Sequence, residues 1–330
     1  MRATTRRLLV RIVFALMVCP GSFSAIAQSN ENYPVRAVRM IVPTAAGGAA
    51  DNVARIFAQK LSDHWGQTFL VDPRSGANGN IGAELLAKSE PDGYTIMMGT
   101  IGVLAINKSL YKNMGYDQLR DFAPVGQVVT FALLLITHPA QPFNNIPELI
   151  AYAKANPGKI NYGSPGIGGS PHMGMELFAK TAGIKIVHIA YKGAAAATTD
   201  VVAGQLQLMF SDPTAGLVHV RSGRLRALGV SGPTRLPAAP EIPTIAEAGL
   251  PGFAVTSYLG VVAPTRTPAN TIAKLNAELN RIAVQPDTKN RIDAMGAQVK
   301  TGTPKEFGEL IRSETERWAK VVADAGLKAE

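Results

Sequence analysis

Ala37-Val38-Arg39-Met40-Ile41-Val42-Pro43-Thr44-Ala45-Ala46-Gly47-Gly48-Ala49-Ala50-Asp51 reads as a short apolar strand, a tight loop and the start of a helix. The strand Ala37 to Val42 stops at Pro43, and Val53, Ile56, Phe57 and Leu61 then recur at helical spacing on one face. Asp51 is placed to cap that helix through the Val53 or Ala54 N–H. In the loop Thr44-Ala45-Ala46-Gly47-Gly48, glycine lets the backbone approach a ligand, and free N–H groups at a helix start attract anions. The pattern returns further on. Lys159 to Tyr162 reads as a strand, Gly163-Ser164-Pro165-Gly166-Ile167-Gly168-Gly169-Ser170 as a loop, and Pro171 opens a helix. Ligands of open α/β sheets sit beyond the carboxyl ends of strands, so both loops are expected to face one cleft.

Outward from these loops, strand-like and helix-like segments alternate. Thr68 to Val71 is a strand, Ile81 to Lys88 a helix, and Pro91-Asp92-Gly93 turns the chain into the strand Tyr94 to Met98. In the second half, Ile186 to Ala190 is a strand, Ala194 to Ala203 a helix and Gln207 to Phe210 a strand. Near the C-terminus, Ile272, Leu275, Leu279 and Ile282 form one stripe, and Thr303-Pro304-Lys305-Glu306 is a capping box leading to Phe307, Leu310, Ile311 and Trp318. The fold class expected is α/β, with mostly parallel sheets flanked by helices. Two nearly uncharged extended stretches, Ala123 to His138 and Ala254 to Ala263, suit strands crossing between two lobes as a hinge. The division expected is a leader over residues 1–27, one lobe of residues 28–130 plus 256–330, and a second lobe of residues 131–255.

The leader has its own logic. Arg2, Arg6 and Arg7 precede the apolar stretch Leu8 to Val18, and Ala25-Ile26-Ala27 supplies small residues for cleavage after Ala27. That is a secretory signal peptide, with Thr5-Arg6-Arg7-Leu8-Leu9 a partial twin-arginine pattern and Val18 too large for a good lipoprotein box before Cys19. Losing residues 1–27 removes four arginines and no acid, which takes the formal charge from +9 to +5, and removes the single cysteine. The exported chain then has no thiolate chemistry and no cysteine metal site. Its positive charge is spread without a Lys/Arg run or interleaved aromatics, which excludes a nucleic-acid footprint.

Catalytic constellations are scarce. The five histidines (64, 138, 172, 188 and 219) have no metal-ligand spacing. Gly168-Gly169-Ser170-Pro171-His172 falls short of a nucleophile elbow, and Ser109-Leu110-Tyr111-Lys112 lacks its companion motifs. No Walker loop or complete G-x-G-x-x-G follows a strand. No cofactor and no metal are expected. Two Gly-rich helix starts favour a carboxylate or phosphate, and Asp51 beside the first disfavours a dianionic phosphate.

Tyr33-Pro34 and the run Val42 to Asp51, together with Gly79-Asn80-Ile81-Gly82, Pro91-Asp92-Gly93-Tyr94-Thr95 and Leu104-Ala105-Ile106-Asn107, resemble the Bug family. The match continues through Asp121-Phe122-Ala123-Pro124-Val125, Tyr191-Lys192-Gly193, Gly223-Arg224-Leu225-Arg226-Ala227-Leu228 and the stretch Pro243 to Gly252. These are periplasmic substrate-binding proteins of tripartite tricarboxylate transporters. The resemblance implies a two-lobed Venus flytrap that binds a small organic acid in the interlobe cleft and delivers it to integral-membrane transporter subunits. The ligand contacts it implies are Thr44, Ala45, Ala46, Gly47, Gly48, Thr100, Ile101, Ser164, Gly168, Gly169, Ser170 and Asp212. Within that set the amides of Gly47, Gly48 and Gly169 and the hydroxyls of Thr44, Ser164, Ser170 and Thr100 are expected to hold the carboxylate. The chain departs from the family at Thr44, where relatives carry an aromatic, at Ile167 and Gly169, where Asn and Thr are frequent, and at Ser211, where the acid is often found. His172 aligns with the family's histidine, where packing, capping and ligand contact are all open roles.

The expectation is an exported, periplasmic, monomeric receptor that binds no nucleic acid and is not an enzyme. Two rivals stand beside it. A sensory receptor would use the same closed surface to report a ligand to a signalling partner. A secreted hydrolase would need Ser170 or Ser164 with His172 and Asp212.

Overall fold

The computed structural model describes residues 32–328; the leader and its cleavage site lie outside them. In chain order the strands are β1 (Val38–Val42), β2 (Phe69–Pro73), β3 (Thr95–Thr100), β4 (Phe122–Ala132), β5 (Leu134–Thr137), β6 (Asn161–Ser164), β7 (Val187–Ala190), β8 (Leu208–Ser211), β9 (Arg226–Val230), β10 (Thr256–Pro264) and β11 (Ala297–Val299). They make two sheets. The first runs β11-β4-β10-β3-β1-β2 and the second β7-β6-β8-β5-β9.

The parallel pairing expected from the alternating pattern is confined to one side of each sheet. β1 pairs parallel with β2 and β3, and β6 parallel with β7 and β8. The other side of each is antiparallel, as β10 lies between β3 and β4, and β5 between β8 and β9. Helical crossovers produce the first kind of pair. Strands that leave a sheet and come back produce the second. The extended stretches are those strands: β4 runs on through Leu133 into β5, and the chain returns through Val255 into β10.

Ser231 stitches the two crossings where they pass. Its Oγ accepts from the Leu133 N–H at 2.8 Å and donates to the Val255 carbonyl at 2.7 Å. Its backbone N–H donates to the Leu133 carbonyl, and its carbonyl accepts from the Val255 N–H. Ser231 is fully buried.

Helix Ala49–Trp65 buries Val53, Ile56, Phe57 and Leu61, the stripe read from sequence, and ends on Gly66 at φ 66°. Helix Ala269–Ala283 buries Ile272, Leu275, Leu279 and Ile282. Helix Pro304–Asp324 carries the expected capping box, with Thr303 and Glu306 exchanging side-chain-to-backbone bonds, and buries Trp318 completely. One apolar core holds Ile41 and Met97 from the first sheet, Leu135 and Phe210 from the second, and Trp318 from this last helix.

Candidate functional site

The two Gly-rich loops are built alike. After β1, Gly47 takes φ 81°, Gly48 is the N-cap at φ −77° and ψ 172°, and the Asn52 N–H closes the first helical bond on the Gly48 carbonyl. After β6, Gly168 takes φ 84°, Gly169 is the N-cap at φ −73° and ψ 162°, and the Met173 N–H bonds the Gly169 carbonyl. The first glycine of each pair needs left-handed backbone, which side chains rarely adopt. In each case the N–H of that glycine is taken by a side chain four residues on. Gly47 donates to Asp51 Oδ2 at 2.9 Å, and Gly168 donates to His172 Nδ1 at 3.1 Å.

Asp51 therefore does not cap through Val53 or Ala54 as expected. The helix begins two residues earlier, at Ala49, and the buried carboxylate reaches back to Gly47 and across to Arg55 Nε at 2.9 Å. Gly47 is corrected in consequence, since its amide, expected to hold a ligand, is engaged inside the loop. The amides without an intrahelical acceptor are those of the first turns, Ala49 to Asp51 and Ser170 with His172.

Both helix starts line one cavity of about 480 Å³. Thr44, Ala45, Ala46, Gly47 and Gly48 form one wall, and Gly169 and Ser170 form the facing one. Thr100, the last residue of β3, Ile101 just beyond it, and Asp212, past the end of β8, complete the predicted set that reaches it. Phe131, Ser257 and Leu259 enter from the crossing strands, Asn78 and Gly102 from the first sheet's loops, and Ala194 and Ala195 from a further helix start, Ala194–Val202. Sequence reading missed these seven. Asn78 held a signal, because it adjoins Gly79 in a motif already singled out, and its left-handed φ of 50° is a conformation that Asn tolerates.

Two predicted residues stand behind the wall. Ser164 is fully buried, and its hydroxyl donates to the Gly166 carbonyl at 2.8 Å. The same Oγ lies 2.6 Å from His188 Nε2. Gly168 turns its Cα toward Leu110 and Asn78, where an added Cβ would meet Leu110 Cδ1 at 2.5 Å. Thr44 is on the wall, but its hydroxyl oxygen is shielded from solvent and unpartnered.

Behind the second loop lies a cluster that sequence spacing hid. The His172 and His188 rings stack at 3.9 Å between centroids, and Tyr162 stacks on His188 at 4.9 Å. Burial, then the neighbouring His188, pushes His172 down to about 3; burial pushes His188 down to about 4. Both are neutral at pH 7. Tyr162 donates to Glu176, and burial followed by that carboxylate raises its hydroxyl far above the usual range. The Ser–His contact here joins the buried Ser164 to the partly buried His188 behind the cavity wall, and no hydrogen bond joins His172 to Ser164 or Ser170, so the set needed for a hydrolase is not assembled. Among the described residues no cluster of His, Cys, Asp or Glu could hold a metal.

The model of the tripartite tricarboxylate transporter family receptor matches residues 53–327. The chain belongs to that family. A UPF0065 protein from the tcbD–tcbE intergenic region of Pseudomonas sp. strain P51 is 38% identical over 320 residues, covering 97% of this chain and 95% of that one. BugT of Bordetella pertussis is 36% identical over 301 residues, 91% of this chain and 92% of its own. Among solved structures, an R. palustris protein with adipate has a TM-score of 0.83 at 35% identity, covering 90% of this chain and 99% of that one. MatC from Rhodopseudomonas palustris with bound malate has a TM-score of 0.79 at 30% identity, covering 88% and 100%. The resemblance read from Tyr33-Pro34, the first loop and the later motifs holds, and the receptor fold with it. As a solute-binding receptor of this family, the chain uses its two sheets to bring two helix starts to one cavity.

Proposed function

We propose that this receptor is exported, captures a small organic carboxylate between its two Gly-rich loops, and presents it to membrane subunits of a tripartite transporter. One observation carries the reading. First-turn amides of helices Ala49–Trp65 and Ser170–Ala182, one from each side of the crossing strands, line a single cavity that has no Lys, Arg or His on its wall. An anion there is held by backbone amides and helix dipoles, each helix end worth roughly half a charge. The adipate and malate bound by the structural relatives support the same class of ligand.

The lobes are residues 28–130 plus 256–330 and residues 131–255, and the junction at Ala132–Leu133 and Val255–Thr256 is the hinge. A ligand touching both loops binds the closed arrangement more tightly than the open one and shifts the population toward it. Residues 1–27 direct export to the periplasm, where the mature monomer works without a cofactor and without catalysis.

The test is a thermal-shift screen of residues 28–330 against organic acids paired with their amides. An acid at 100 times its dissociation constant adds about 2.7 kcal/mol, or roughly 5–11 °C in a chain approaching this size. Its amide is expected to give no shift. Equal shifts from acid and amide would overturn the carboxylate reading.

A further inference from the structure

Asp212 is the one ionisable side chain on the cavity wall. It stands at the N-cap of helix Pro213–Arg221, with φ −61° and ψ 139°, where an aspartate ordinarily accepts from the second or third helical N–H. It makes no such bond. No hydrogen bond or ion pair satisfies its carboxylate among the described residues, although it is half-buried and desolvation drives its protonation upward. The other acids near the site each have a partner: Asp51 accepts from Gly47 and Arg55 through Oδ2, and Glu176 accepts from Tyr162. An unpaired, partly desolvated carboxylate that forgoes its own cap is costly unless a ligand completes it.

The wall is thus asymmetric. Helix starts at Ala49, Ser170 and Ala194 present positive ends, and the fourth, at Pro213, is covered by the Asp212 carboxylate. A ligand with a carboxylate at both ends would bring one of them to a like charge. A ligand with a carboxylate at one end and a cation at the other would match both parts. We propose that Asp212 selects carboxylates that also carry a cationic nitrogen, the chemistry of an amino acid or a related zwitterion. This rests on the carboxylate reading above and narrows it.

The experiment measures binding by calorimetry at pH 7.5 for wild type and Asp212→Asn. The probes are matched sets of three to six carbons, each a simple monocarboxylate, the dicarboxylate and the ω-amino carboxylate, together with the α-amino acids of those lengths. The Asp212 carboxylate makes no hydrogen bond, so Asp212→Asn is expected to melt at or above the wild-type temperature. The expected result is an amino carboxylate that wild type binds at least tenfold more tightly than the dicarboxylate of equal length, with the preference lost in Asp212→Asn. A dicarboxylate preferred by wild type, with affinity rising as pH falls toward 5, would overturn the proposal while leaving the carboxylate reading standing. So would amino carboxylates bound equally by both proteins. If folded wild type binds no carboxylate of any set, both readings fall together.

Discussion

Gly47 and Gly168 share a backbone conformation, and each gives its N–H to a side chain four residues on, yet the acceptors are an aspartate and a histidine. The shared feature is an unprotonated acceptor at that position. His172 serves because burial and its stacked partner His188 keep both rings neutral. The pH dependence follows. With folded values of about 3 and about 4 below the unfolded 6.5, the unfolded chain binds more protons in that window, so stability is full above pH 6.5 and falls as pH drops toward 4. The slope is at most about 1.4 kcal/mol per pH unit for each histidine. The lowered carboxyls of Asp72, Asp117 and Asp121 lose their contribution only below their ordinary value of 3.8, outside that window. His172→Asn keeps an acceptor for Gly168 and removes one titration, so urea unfolding from pH 7.5 to 4.5 is expected to show a flatter profile. His172→Ala, which also strips the acceptor, is expected to lose about 1–3 kcal/mol even at pH 7.5. The glycine pairs were legible in the sequence because left-handed turns before helices ask for glycine. The histidine pair was not, because His188 arrives from β7 and only the folded sheet brings it beside His172.

The crossing strands were legible as elements, since an uncharged extended run with proline at one end has few other uses in an α/β chain. Their junction was not, because Ser231 follows β9, a short strand containing an arginine that no hydrophobic alternation marks. Fully buried, Ser231 joins Leu133 to Val255 through both its side chain and its backbone. Ser231→Ala leaves one N–H and one carbonyl without their partner in a dry position, and is expected to cost about 1–3 kcal/mol in chemical unfolding. If the junction is the hinge, the same variant is also expected to change the temperature dependence of ligand affinity, while Ser313→Ala on helix Pro304–Asp324 leaves it unchanged. The mixed sheets have the same origin. Alternating strand and helix patterns predict parallel neighbours, but they hold no record of which strand returns to fill a gap.

At the scale of the molecule, the last helix closes the first sheet. Phe307 packs over Gly260 in β10 so closely that a Cβ there would stand 2.2 Å from its ring, so Gly260→Ala is expected to lower the unfolding midpoint through overpacking, by about 1–3 kcal/mol. A chain ending at Val255 lacks β10, β11 and the three helices Ala269–Ala283, Pro286–Ala294 and Pro304–Asp324, and is expected to show weak tertiary circular dichroism and rapid proteolysis. The sheet order explains why such a fragment fails. β10 is nearly the last strand to be made, yet it sits in the middle of the first sheet, between β3 and β4. A nascent chain therefore reaches its final quarter with no strand to join β3 to β4, and closing the sheet means bringing together segments far apart in sequence, a slow step in folding. An export route that threads its cargo unfolded would gain from that delay, because the position of β10 in the first sheet keeps that sheet incomplete until the last quarter of the chain is available.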